Sequence, residues 1–402
     1  MAVNLSFCMI VKNEAKNLPR CLNSVRTVAN EWVVLDTGST DETVAIAQSF
    51  GAQVHHFTWN HDFSAARNEA LKYVSGDWVL VLDADEVLTA DSVPLIQLAV
   101  QQKDCLVINL LRQEVGAVQS PYSLVSRLFR RHPDICFSRP YHAMIDDSVT
   151  QLLVREPHWQ IVDLSEVAIL HYGYEPGAIA SRDKFHQART TMERFLALNP
   201  GDPYACNKLG ALYVEMGKVD YGIELLERGL ASQRQSTPLD AAVLFELHYH
   251  LGIAYNRLKD TQRAEQHYNA ATQQPILEPL KLGAYNNLGS LQQAQGNFEG
   301  AKAAYEAALE ADPEFAIGHY NLGMTLKAMG QLEDAIAHYK KALQLNPIYA
   351  EALQNLGVVL LKLGRVEESM AAFQRAILLH EQRNVQEAER LRSGLRQMGF
   401  EL

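Results

Sequence analysis

Short, uninterrupted apolar runs alternate with amphipathic stretches along the first ninety residues. Residues 5–11 form one such run, and Asn13-Glu14 follow at once. The next stretch carries Leu18, Cys21, Leu22 and Val25 at i, i+3, i+4 and i+7, the stripe of a helix lying on a core. Residues 32–35 make a second run that stops at Asp36, and the polar segment to Glu42 leads into another helix, with Ser39 and Glu42 at the spacing of a capping box. Residues 53–57 read as a short third strand. Asp62 then caps a helix bearing Arg67-Asn68, which delivers the chain to residues 78–82. Runs apolar on every position are strands buried on both faces. Strands alternating with helices predict a parallel sheet of nucleotide-binding type, whose ligands sit beyond the carboxyl ends of the strands.

At that edge the run from Trp78 ends in Asp83, Asp85 and Glu86, three acids within four residues. Asp83 and Asp85 stand two apart as the chain leaves the sheet, where each can offer hard oxygens to a divalent cation that also holds a diphosphate. Residues 105–111, 123–130 and 167–170 read as further strands, and His171 closes the last of them.

Composition narrows the class. The 402 residues suggest two or three domains, and 48% apolar content suffices for ordinary cores. Lys12 comes too soon for a signal-peptide apolar region and no run reaches the length of a membrane span, so no transmembrane segment and a cytoplasmic location are expected. Five cysteines without metal-ligand spacing read as reduced thiols packed as small apolar groups. The net charge of −11 is spread over both halves: residues 1–174 carry 13 Lys+Arg against 20 Asp+Glu, and 175–402 carry 23 against 27. Nucleic acid is therefore not an expected partner. One local basic cluster, Arg127, Arg130, Arg131 and Arg139, reads first as a solvated face, with contact to a phosphate or an anionic lipid head group as the alternative.

Four motifs in order, Cys-Met-Ile-Val-Lys-Asn-Glu at 8–14, Val-Val-Leu-Asp-Thr-Gly-Ser-Thr-Asp at 33–41, Phe-Ser-Ala-Ala-Arg-Asn-Glu-Ala at 63–70 and Leu-Asp-Ala-Asp-Glu at 82–86, resemble the family 2 glycosyltransferases with a GT-A fold. The resemblance covers roughly residues 4–175. It implies a nucleotide-sugar donor, UDP foremost, and transfer with inversion. It further implies that Asp36 bonds the base and that Asn13, Glu14, Arg67 and Asp83 line the nucleotide. Asp85 and His171 would then hold Mn²⁺ or Mg²⁺, under a segment after His171 that closes as a lid. Relatives often place Glu after the His of the segment matching Tyr-His-Ala at 141–143. This chain has Ala143, which leaves Asp146 and Asp147, read as loop residues, to accept the acceptor's proton.

The second half is repetitive. An amphipathic helix over 177–198 bridges to Leu-Gly pairs at 209, 251, 288, 322 and 356, the last three 34 residues apart, the period of tetratricopeptide repeats. The expected organisation is α/β followed by all-α: a transferase domain at 1–175, a bridging helix at 176–202, about five repeats at 203–380 and a capping helix at 381–402. Asn287, Asn321 and Asn355 precede three successive Leu-Gly pairs and form a ladder that either suits a peptide backbone or helps pack adjacent hairpins. The favoured acceptor is a peptide or protein held by the repeats. Synthesis of lipopolysaccharide or another surface glycan, and a scaffold with an idle transferase domain, are the rival readings.

Overall fold

The computed structural model describes residues 3–117, 119–141, 143–173, 182–232 and 241–400. The chain divides into two compact units, 1–117 with 121–209, and 118–120 with 210–402.

In the first unit eight strands form one sheet: β1 (Leu5–Val11), β2 (Glu31–Asp36), β3 (Gln53–His56), β4 (Trp78–Val81), β5 (Glu86–Leu88), β6 (Cys105–Glu114), β7 (Tyr122–Arg130) and β8 (Gln160–His171). Their order is β3-β2-β1-β4-β7-β6-β8-β5, with β7 and β5 antiparallel to the rest. Alternate residues of β1 feed two cores. Phe7, Met9 and Val11 pack with α1 (Leu18–Ser24), α2 (Thr43–Ser49) and α4 (Ser92–Ala99) on one face. Cys8, Val33, Leu35, Val79 and Val81 pack with α3 (Phe63–Leu71) and α5 (Asp146–Arg155) on the other. The connections run outward from β1 to β3 and then return to β4 on the far side of β1, so the crevice of such a sheet lies at the carboxyl ends of β1 and β4.

Several local expectations change. Asp62 caps α3 through Ala65 N as expected, but Ser39 and Glu42 make no capping box. Asp41 accepts from Thr43 N at 3.0 Å in that place, and the Ser39 hydroxyl turns back to accept from Asn13 N at 2.9 Å. Residues 146–147 are no loop: they are the first turn of a ten-residue helix, where carboxylates suit the helix dipole. β8 begins at Gln160, well before 167, because its first half is largely exposed and shows no apolar run. β5 and α4 had no counterpart in the sequence reading.

The second unit stacks helical hairpins. Helix α6 (Arg182–Leu198) belongs to the first unit, and residues 174–181, including the start foreseen for this helix, lie outside the described residues. The paired helices are α7 (Pro203–Glu215) with α8 (Val219–Ala231), α9 (Ala241–Arg257) with α10 (Thr261–Thr272), α11 (Leu282–Ala294) with α12 (Phe298–Ala311), α13 (Ala316–Ala328) with α14 (Leu332–Leu345), and α15 (Ala350–Lys362) with α16 (Val366–Arg383). The insertion foreseen near 235–239 is outside the described residues. α17 (Val385–Gln397) closes the array through Ala388 and Leu395, and residues 381–383 belong to α16 instead.

The Leu-Gly signature has a steric cause. A Cβ on Gly252, Gly289, Gly323 or Gly357 would lie 2.5, 2.7, 2.9 or 2.9 Å from the ring of Tyr268, Tyr305, Tyr339 or Phe373 on the second helix, and one on Gly210 would lie 2.7 Å from Leu226. The two helices of each hairpin cross where the first lacks a side chain. Seven residues later, the chain turns through a left-handed residue, Gly217, Gly296, Gly330 or Gly364, and in the second hairpin through Lys259 with φ 61°.

Candidate active site

The crevice is built around Asp83. Arg67 Nη2, from α3, donates to its Oδ1 at 2.8 Å, and Arg127 Nη2, from β7, donates to its Oδ2 at 3.0 Å. Partial burial raises the carboxyl pKa, but the Arg127, Arg67 and Arg112 charges outweigh it and hold the group well below the usual carboxylate range. Arg67 is 7% exposed, and its Nη1 also donates to Ala143 O at 3.3 Å. Arg67 Nε and Arg127 Nη1 are buried without a hydrogen-bond partner. Each guanidinium that grips Asp83 thus keeps one buried N–H unsatisfied among the described residues, a donor that an anion could use.

Arg127 reaches this position because of a bulge. Ile108 pairs with Leu128 but Leu110 pairs with Val125, so three steps of β7 match two of β6. Such an extra residue re-aims side chains. Here Ser126 and Arg127 both find partners on the side of α3 and α5. Ser126 Oγ donates to Asp146 Oδ1 at 3.1 Å. Asp147 accepts from the Ser138 hydroxyl and from Arg139 Nη2, at 3.1 Å for the latter, and Arg139 also pairs with Asp202 at 3.0 Å. The arginine cluster is therefore not a solvated face. Arg130 Nε donates to Cys105 O and its guanidinium lies 4.9 Å from the Trp78 ring, while Arg131 Nε donates to Gly76 O.

Beneath Asp83 lies a buried ionic chain. Glu86, fully buried, accepts from Asp83 N at 2.8 Å and from Arg112 Nη1 at 2.8 Å, which fixes the turn carrying both aspartates. Arg112 also pairs with Glu114 at 2.8 Å. Glu114 Oε2 stands 2.5 Å from His171 Nδ1, and His171 Nε2 is 3.3 Å from Asp85 Oδ2. Burial alone would push the imidazole pKa down. The bonds to Asp85 and Glu114 outweigh it and raise it to about 10.

These donors fit a divalent cation that grips phosphate as well, since such ions commonly take one or two carboxylates and fill the shell from substrate and water. Asp85 could supply the hard oxygen, and His171 could join only after losing its proton. Among the described residues no three His, Cys, Asp or Glu side chains hold an ion by themselves.

The remaining nucleotide-side residues brace one another. Asp36, 4% exposed, accepts from Gly38 N and Ser39 N at 3.1 Å each and lies 3.4 Å from His56 Nδ1. Gly38, with φ 105°, gives the turn a conformation closed to other residues. Asn13, itself left-handed, accepts from Thr40 N at 2.7 Å, and Glu14 N donates to Thr43 Oγ1 at 2.8 Å. The loops after β1 and β2 are thereby tied together. Sequence reasoning missed Arg112 and Glu114, and took Arg127 for surface.

In the second unit the asparagine ladder is engaged between helices. Asn321 Nδ2 donates to Asn286 Oδ1 at 2.8 Å, Asn355 Nδ2 donates to Tyr320 Oη at 3.2 Å, and Asn287 acts on the hydroxyls of Tyr249 and Tyr268. Each rung ties a repeat to its predecessor.

Comparison with known proteins places both halves. Residues 6–162 match the model of glycosyl transferase family 2, and stretches at 207–276, 289–330, 325–364 and 350–390 match tetratricopeptide repeat models. The chain carries a family 2 glycosyltransferase domain. This glycosyltransferase is 43% identical over 307 residues, 76% of its own length and 74% of the relative's, to a TPR repeat-containing protein of Synechococcus elongatus. It is 27% identical over 247 residues to the SPbeta prophage-derived glycosyltransferase SunS of Bacillus subtilis, a match spanning 59% of this chain and 56% of SunS. The crystal structure of YrrB, titled a TPR protein with an unusual peptide-binding site, overlays 50% of this chain and 96% of its own with a TM-score of 0.40 and 16% identity. No helix among the described residues is long and apolar enough to cross a membrane.

Proposed function

We propose that this glycosyltransferase moves a sugar from a UDP-sugar to a peptide or protein acceptor that the repeats hold, with inversion at the anomeric carbon, in the cytoplasm. The observation that carries the reading is the pair of guanidinium groups, Arg67 and Arg127, that converge on Asp83 through their Nη2 atoms at the switch point of the sheet, each with one buried N–H left unpartnered. That arrangement suits a diphosphate beside a ribose hydroxyl: the arginines meet phosphate oxygens while Asp83 accepts from the sugar. Asp36 lies at the neighbouring strand end, in position to accept from a base N–H. Mn²⁺ or Mg²⁺ held by Asp85 would neutralise charge on the departing diphosphate.

The acceptor's nucleophilic atom then attacks the anomeric carbon opposite the diphosphate, the carbon–oxygen bond to the diphosphate breaks, and Asp146 takes the acceptor's proton. The 143–147 segment is held against the donor side by the bond from Arg67 to Ala143 O and by Ser126 on Asp146. The repeat array supports a polypeptide acceptor because stacked hairpins present extended surfaces. The cysteines, all free and four of them buried, support a reducing compartment.

The test is calorimetry and slow hydrolysis with a panel of nucleotide sugars and Mn²⁺. One donor should bind and turn over, and Arg127→Met should weaken it by about tenfold or more, the worth of one charge-assisted hydrogen bond. Absence of binding by any nucleotide sugar sinks the reading; binding without turnover, with or without a peptide, leaves a scaffold.

A further inference from the structure

Two of the five hairpins contain a feature that neither the repeat nor the transfer reaction requires. In the second hairpin His248 Nδ1 of α9 lies 2.9 Å from His267 Nδ1 of α10. In the fourth, His319 Nδ1 of α13 lies 2.9 Å from His338 Nδ1 of α14. The two pairs are equivalent: the first histidine stands three residues before the Leu of Leu-Gly, and the second immediately precedes the buried tyrosine that packs on that Gly. The third hairpin carries Tyr285 and Ala304 at these positions and the fifth carries Leu353 and Ala372, so hairpin packing does not call for imidazoles there.

The chemistry of the pair is specific. His319 Nε2 lies 3.1 Å from Pro313 O, and a carbonyl only accepts, so Nε2 carries the proton and the Nδ1 lone pair points across the hairpin. A backbone carbonyl on the outer nitrogen is the arrangement that orients imidazoles toward metals. All four rings are half-buried, which lowers each pKa, so they are neutral at pH 7, the form a metal binds.

We propose that each histidine pair is a clip for a borderline divalent transition metal of the zinc, copper or nickel class. The ion takes one Nδ1 from each helix and completes its shell with water. On binding, the Nδ1 proton shared within the pair moves to the Nε2 of the ring that carried it, so two nitrogen–metal bonds replace one N–H···N bond with no net loss of protons. Tetrahedral ligands at about 2.0–2.1 Å stand roughly 3.3 Å apart, so the rings must part by about 0.4 Å. Nearby charges differ between the clips: Glu227 and Arg263 act on the first, Asp312, Asp334 and Lys341 on the second. Mn²⁺ and Mg²⁺ prefer oxygen ligands, so the clips are chemically separate from any ion in the transferase crevice.

The test uses the full chain without an affinity tag. Zinc titrated by calorimetry should fill two sites and raise the thermal midpoint of helix loss. His338→Gln should leave one site, and His267→Gln with His338→Gln should leave neither and abolish the shift. Should the double variant fold poorly, imidazole nitrogen NMR of the unaltered chain gives a second readout: zinc should shift the Nδ1 signals of these four rings. Zinc uptake that survives in the double variant, Nδ1 signals that do not move, or no uptake at all would each overturn the proposal.

Discussion

Asp146 and Asp147 are neighbours in sequence, yet the structure holds them for different purposes. Asp147 is a strut: Arg139 bridges it to Asp202, and the Ser138 hydroxyl sits on its other side. Asp146 is tied to Ser126, which the β7 bulge presents beside Arg127. Asp146→Asn should therefore lower turnover by about a hundredfold or more with donor affinity unchanged, the range of general-base effects. Asp147→Asn should act on the thermal midpoint first, because it leaves Arg139 short of a partner. Steady-state kinetics beside thermal melts of both variants decide the assignment, and a hundredfold loss in the Asp147 variant alone would reverse it. At this scale the sequence was legible where an acid ends an apolar run, as at Asp36, Asp83 and Asp85. It was illegible at Arg112, Glu114 and Arg127. Their partners include residues far along the chain, 26 away for the bond from Arg112 to Glu86, 44 for that from Arg127 to Asp83 and 57 between Glu114 and His171, and no local spacing announces a charge pair made by sheet topology.

Among elements, the hairpins of the array show how far a period reveals cause. The Leu-Gly spacing located them, but only the packing explains it: glycine admits an aromatic ring from the facing helix. The asparagines show the converse. Their period is as regular, and it left a groove for peptide and the packing of adjacent hairpins equally open; the structure has Asn321 and Asn355 bonded to the preceding repeat. A period alone does not distinguish a residue that faces solvent from one that faces the next copy of itself. The turn between paired helices adds a position that only backbone angles disclose. Four hairpins use glycine there, and the second uses Lys259 at φ 61°. A side chain in that conformation costs about 1 kcal/mol. Lys259→Gly should raise the array's denaturation midpoint by a comparable stability increment, read by urea melts at 222 nm; a lowered midpoint would mean that Lys259 makes contacts worth more than its strain.

For the whole molecule, the two units have separate cores. The sheet packs through Phe7, Leu80 and Phe129 and their neighbours, whereas the repeats pack through Tyr255, Tyr268, Tyr305 and Tyr339. Damage to one core should therefore be felt in its own function. Gly323→Ala places a Cβ 2.9 Å from the Tyr339 ring, an overpacking cost of roughly 1–3 kcal/mol in the middle of the array. In a solenoid that cost falls on the hairpin and its nearest neighbours, which loosens the surface proposed for the acceptor. The bonds described at Asp83, Arg67 and Arg127 are made within the first unit. At a temperature below the array's transition, this variant should bind and hydrolyse the donor as the unaltered chain does while its Michaelis constant for a polypeptide acceptor rises several-fold. Equal losses of donor hydrolysis and acceptor use would show instead that the transferase depends on the array for its own fold, and the division of labour between the units would have to be abandoned.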